Sequence, residues 1–188
     1  MKRNLIIALV VIVAVIFLMF SWVTENYNKI VTLKENIDAK WAQVENQLKR
    51  RNDLIPNLVN TVKGYAKHEK EIFTGIAEAR SKLAGAGTIS DKIKASNELG
   101  GFLSRLLMVV ERYPDLKANQ NFSQLMHELS GTENRISVER MRYNNVVRDY
   151  NMTIKRFPGR LFALIFGFTK ATYFEIEEAE KKAPKVEF

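Results

Sequence analysis

The sequence predicts an all-α protein: an N-terminal transmembrane helix followed by an antiparallel up-and-down bundle of four long helices. Three observations predict it. Residues 5–23 contain no charged side chain. Beyond them, apolar residues recur at 3-4 spacing, the period of one helical face. Nine glycines and four prolines in 188 residues leave room for short connections only.

The apolar run "LIIALVVIVAVIFLMFSWV" would make a helix about 28 Å long, enough to cross a hydrocarbon core. Lys2 and Arg3 flank its start, and Trp22 and Tyr27 stand where interfacial aromatics belong. A cleaved signal peptide has a shorter apolar region and a small-residue cleavage site, and neither is found here. The reading is therefore a basic flank at 1–4 and an uncleaved single span at 5–23. Lys2 and Arg3 favour a cytoplasmic N-terminus, with the following domain outside the cytoplasm. Lys29, Lys34 and Lys40 weaken that bias.

The first bundle helix opens near Tyr27. Tyr27, Ile30, Ile37, Trp41, Val44 and Leu48 form its buried stripe, and Lys29, Glu35, Asp38, Gln43 and Glu45 its wet face. "QLKRRNDLIPNLVNTVKGY" (47–65) then carries a stop and a start. Lys49, Arg50 and Arg51 suit the negative end of a helix dipole, and Asn52 suits a left-handed residue past that end. Asp53 is a good N-cap and Pro56 a good first-turn residue. These signals place a reversal at Asn52–Asp53. Ile55, Leu58, Val62 and Tyr65 keep the earlier register, so the alternative is a three-helix bundle with a long kinked first helix. A single rod from Tyr27 to Ala84 would be about 85 Å long, more than two later helices cover, which favours the reversal.

The second helix is then expected over about 54–84, ended by "GAGT". Gly64 inside it suggests close approach of a bulky side chain such as Trp41. A third helix is expected from Ser90 as N-cap to Arg112, ended by "YP". The fourth is expected from Asn121, with Gln124 as capping partner, to Arg156, ended by "FP". Its stripe is Phe122, Leu129, Ile136, Tyr143, Tyr150 and Phe157. The bundle domain is thus 24–157, followed by an apolar and then charged segment, 158–188.

An up-and-down path returns the fourth helix to the membrane end. Lys155, Arg156, Arg160, Phe162, Ile165, Phe166 and Phe168 are therefore the candidate lipid contact. The competing reading is that these aromatics plug the open end of the bundle. The final "EIEEAEKKAPKVEF" is expected to fray.

Charge and chemistry narrow the function classes. The chain has no cysteine, which removes disulfides and thiol chemistry. A net charge of +8 suits an anionic surface. His68 and His127 lack the partners of a di-metal bundle or a zinc protease, and no phosphate-binding or nucleophile motif is found. No catalytic, cofactor or metal residue is expected, and the chain is read as no enzyme. The polar residues that break the apolar pattern are Arg51, Asp53, Glu133, Arg135, Glu139, Arg140, Asn144 and Asn151. They form either buried pairs that fix helix register or a strip for a partner.

"WAQVENQLKRRNDLIPNLVNTVKGYAKHE" (41–69), "YPDLKANQNFSQLMHELSGTENRISVERMRYNNVVRDYN" (113–151) and "FP" (157–158) closely resemble the LemA family of bacterial membrane proteins. The resemblance implies a membrane-anchored helical bundle with no assigned catalytic activity. Some members occur with membrane proteases or in magnetosome membrane formation, which implies a scaffold role. The expected function is a non-enzymatic scaffold or interaction module at the cell envelope, binding a membrane protein or itself. The alternative is a peripheral lipid-surface protein acting through its C-terminal segment. Neither nucleic acid nor a small-molecule substrate is expected as a partner.

Overall fold

A computed structural model describes residues 2–66 and 68–175. It is mainly helical, with no strand among the described residues. The elements are α1 (Lys2–Lys63), α2 (Lys70–Gly85), α3 (Ile89–Val110), α4 (Pro114–Lys117), α5 (Gln120–Lys155) and α6 (Gly159–Phe166). The charged end expected to fray, from residue 176 onward, lies outside the described residues. Two compact units are formed, residues 2–40 with 145–171 and residues 41–144 with 172–175.

In the first unit, the side chains from Ile6 to Trp22 are all exposed, and the segment has a mean hydropathy of 3.1. It is long and apolar enough to cross a membrane. Just beyond it, the end of α5 and one face of α6 pack on α1. Ile30, Val147, Tyr150 and Phe162 are the buried centre of that contact.

The second unit corrects the expected reversal at Asn52–Asp53. α1 runs through both residues to Lys63, and the next helix, α2, starts only at Lys70. The continuous apolar register was the signal that mattered. Ile55, Leu58 and Val62 are each no more than 1% exposed and extend the stripe of Val44 and Leu48. Arg51 is not an end-of-helix cation; it is buried at 4% exposure on that same stripe. Asp53 is exposed and caps nothing. Pro56 sits inside the helix, and Asn52, whose carbonyl loses its usual donor there, receives the Arg80 guanidinium on its side-chain oxygen at 3.1 Å. The true end tightens in 3₁₀ fashion: the Gly64 amide donates to Thr61 at 3.3 Å and the Tyr65 amide to Val62 at 3.0 Å.

Gly64 therefore lies in the turn. A Cβ there would meet the Thr61 carbonyl at 3.3 Å, and Trp41 packs elsewhere, edge-on to Tyr143 at 5.3 Å. The glycine that admits a bulky neighbour is Gly75 of α2. A Cβ at that position would lie 2.2 Å from the Phe102 ring of α3.

Contacts fix the direction of each helix in this unit. Lys92 pairs with Glu45, and Arg51 reaches Ser96, so α3 runs with α1. Arg80 reaches Asn52 and Lys63 lies over the Phe73 ring, so α2 runs against α1. Arg51 meets Glu133 and Tyr65 meets Asn119, so α5 also runs against α1. The core between them contains Ile55, Leu58, Ile76, Leu99, Leu106 and Leu116. Two helix starts differ from expectation by a residue or two. Thr88, not Ser90, caps α3, accepting from the Asp91 amide at 3.1 Å. Asn119, not Asn121, caps α5, accepting from the Phe122 amide at 3.0 Å.

Candidate interaction sites

Arg51, Glu133 and Arg140, three residues of the anticipated polar strip, line one groove of about 440 Å³ between α1, α3 and α5. Arg51 spends its donors inside the fold. Its guanidinium donates to Glu133 at 3.2 Å, to the Ser96 hydroxyl at 2.7 Å and to the Ser96 carbonyl at 3.1 Å. The Arg51 Nε is buried without a partner. Arg140 lies over the Phe174 ring, 5.7 Å from its centre. Glu139 faces another way: one carboxylate oxygen accepts from Arg142 at 2.6 Å, and the other is buried without a partner. Asp53 and Arg135 are exposed and line no part of the groove.

Asn144 and Asn151 hold backbone rather than other helices. After α6 the chain continues as an irregular strap, residues 168–175. In the first unit, Asn151 donates to the Ala171 carbonyl at 2.9 Å and accepts from the Ala171 amide at 2.9 Å. In the second, Asn144 treats Phe174 in the same way, at 3.0 and 2.8 Å. A primary amide matches a peptide group donor for acceptor, so each asparagine satisfies one strap residue completely. Tyrosines one position earlier add a bond each: Tyr150 to the Thr169 carbonyl at 3.0 Å and Tyr143 to the Thr172 carbonyl at 2.8 Å. Burial pushes the Tyr150 phenol above its ordinary range, which keeps it a donor. The two residue pairs are seven apart on α5, the heptad repeat visible in the sequence. Their partner was not legible, because the strap has no period of its own.

The anticipated lipid contact divides into packing residues and exposed ones. Phe162 is buried against Trp22, ring centres 5.6 Å apart. Phe166 and Phe168 meet Tyr27 at 4.9 and 5.9 Å. Ile165 is exposed, as are Lys155, Arg156 and Arg160. Leu161 and Leu164 share the exposed side with Ile165, and Phe157, expected on the buried stripe of the fourth helix, is instead strongly exposed because α5 ends at Lys155. Gly159 opens α6 against the last turns of α5, where a Cβ would lie 2.1 Å from the Thr153 carbonyl oxygen. Gly167, at φ 73°, ends α6 in the left-handed region that glycine adopts without strain.

The geometry defines a class: a helical bundle that continues from a membrane-crossing type of helix and ties its own C-terminal strap to the last long helix. The chain belongs to the LemA family, whose profile matches residues 40–188. A magnetosome protein MamQ of Paramagnetospirillum magneticum is 31% identical over 179 residues, an alignment covering 81% of this chain. The chain spans 66% of that relative's length. MamQ of Magnetospirillum gryphiswaldense is 28% identical over 179 residues, and the protein LemA of Metamycoplasma hominis 23% over 155 residues.

Proposed function

We propose that the protein is a membrane-anchored, non-enzymatic interaction module whose bundle presents a binding face to another envelope protein or to a second copy of itself. The observation that carries this reading is α1 itself. One helix supplies both the exposed apolar segment and the buried stripe of the bundle, so a partner held by the bundle is tethered to the bilayer. The polar groove supports binding more than catalysis, because Arg51 is committed to Ser96 and Glu133 rather than free to act on a substrate. The magnetosome in the names of the MamQ relatives accords with a role at a membrane. The bundle faces away from the cytoplasm, following the basic N-terminal flank. Crosslinking the full chain in cells, then purifying it in mild detergent, is expected to recover one reproducible partner or oligomer. A solitary monomer after efficient crosslinking would refute the reading. A reporter fused after Phe188 reads the side of the membrane.

A second reading is favoured by α6. Leu161, Leu164 and Ile165 are exposed on a helix whose other face packs on Trp22 and Tyr27, beside the cations Arg156 and Arg160. That is the pattern of an interfacial helix. Placing a tryptophan at Ile165 in a full chain whose Trp22 and Trp41 are replaced by phenylalanine tests it. Its emission is expected to be quenched strongly by lipids brominated near the headgroup; no quenching would place α6 in water.

A further inference from the structure

We propose that the first unit holds a phospholipid headgroup of the phosphoethanolamine class in the cavity between α1, the end of α5 and the start of α6. This proposal rests on the reading that residues 5–23 cross the membrane. The cavity measures about 300 Å³, and the residues that matter in it are Asn26, Lys29, Asp149, Thr153, Arg156 and Gly159.

Its depth is right for a headgroup. Asn26 and Lys29 lie three and six residues beyond Val23 on a continuous helix, so about 4–9 Å beyond the apolar segment. The headgroup layer on each side of a bilayer is about 5–8 Å thick. The neighbouring Trp22 and Tyr27 are the aromatic side chains that settle at that level. Gly159 shapes the wall, since only a residue without Cβ brings α6 this close to the Thr153 carbonyl.

The lining also has the right polarity. Lys29 and Arg156 supply two exposed cations for a phosphodiester oxyanion. Asp149 supplies the anion for an ammonium group. It accepts from Arg148 Nε at 3.2 Å on one oxygen, which leaves carboxylate lone pairs open. Two neutral groups are set as acceptors. Asn26 uses its amide nitrogen on the Trp22 carbonyl at 2.8 Å, leaving its oxygen, and Thr153 uses its hydroxyl proton on the Asp149 carbonyl at 2.8 Å. A primary ammonium carries three N–H donors for these acceptors. A choline headgroup has no N–H to give them. A glycerol headgroup meets the two cations with its phosphate but brings no cation for Asp149, only neutral hydroxyls.

The test uses the full chain in detergent micelles doped with equimolar phosphatidylethanolamine, phosphatidylglycerol and phosphatidylcholine of identical acyl chains. Native mass spectrometry then counts the lipid retained. One phosphatidylethanolamine per chain is expected, favoured about tenfold over phosphatidylcholine, as charge-assisted hydrogen bonds to one carboxylate allow. Asp149→Asn is expected to erase that preference. The double variant Lys29→Gln/Arg156→Gln is expected to lose retention of all three. These side chains are exposed, so helical content by circular dichroism should match the parent chain. Soluble glycerophosphoethanolamine at the same concentration is expected not to displace the lipid; displacement would make the ligand a soluble phosphoester and overturn the lipid assignment. Equal retention of the three lipids, or a preference unmoved by Asp149→Asn, overturns the site while leaving the anchor standing. Release of the chain from membranes by alkaline extraction without detergent overturns the anchor and the site together.

Discussion

Glu133→Gln is expected to destabilise the bundle by about 2 kcal/mol, more than Arg51→Met, although Glu133 is much the more exposed partner. The asymmetry follows from where the charge is. The Arg51 side chain is 4% exposed and the Glu133 side chain 43%. The glutamine amide oxygen can still accept from Arg51, but a guanidinium buried among Leu103, Leu129 and Ile136 is left with neutral acceptors only, that amide and Ser96, and no counter-charge. Water reaching the groove softens the loss, so the value sits below the 3–5 kcal/mol typical of breaking a fully buried pair. Arg51→Met removes the buried charge and its unpartnered Nε together and fills much of the same volume. Its cost is expected to stay within about 1 kcal/mol. The double variant should recover most of the Glu133→Gln loss, since no buried charge is left. Denaturant titration of the full chain in mild detergent, followed by circular dichroism, measures all three. Equal costs for the two single variants would show that the pair acts through packing rather than charge.

The same pair explains what could and could not be read beforehand. The apolar segment was legible because its signal is compositional and needs no tertiary context. The long helices α3 and α5 were legible to within a few residues because their apolar stripes repeat over many turns. The reversal was misplaced because every local cue around Arg51 imitates a helix end. A basic triplet, Asn52, Asp53 and Pro56 in succession are good stop and start residues in isolation. What overrides them is a contact 82 residues away, Arg51 to Glu133, together with the uninterrupted burial of Ile55, Leu58 and Val62. Propensity is worth tenths of a kcal/mol for most of these residues and about 3 kcal/mol for Pro56, and burial of that stripe outweighs the sum.

The polar residues were partly legible for the same reason. Glu133, Arg140, Asn144 and Asn151 announce themselves by falling on or beside an apolar stripe. The sequence does not say whether each one meets a helix, a strap or a ligand. Asn144 and Asn151 meet peptide groups of the strap, whose residues "TKATYFE" carry neither a helical nor an alternating pattern. α6 was hidden by its length. Eight residues between a proline and a glycine read as a greasy loop, because a helix that short is stable only through its packing.

That dependence makes Gly159 the second sensitive point. Gly159→Ala is expected to free α6, and to do so without unfolding the rest of the chain. An alanine Cβ would stand 2.1 Å from the Thr153 carbonyl oxygen and 2.9 Å from its carbon. Both are backbone atoms inside the hydrogen-bonded end of α5, so no rotamer change relieves the overlap. Either α5 unwinds its last turn or α6 moves away. The second is cheaper, because α6 is held mainly by Phe162 on Trp22 and by Phe166 on Tyr27. Hydrogen exchange in the full chain reads the result. Amides of residues 160–168, including the Phe168 amide bonded to Ala163 at 3.1 Å, are expected to exchange about thirtyfold faster, equivalent to about 2 kcal/mol of lost local stability. Core amides at Leu99 and Leu106 should keep the parent rate, since they belong to the other unit. Unchanged protection over α6 would mean that the close approach at Gly159 is not what seats this helix, and that the wall of the headgroup cavity stands on the aromatic contacts alone.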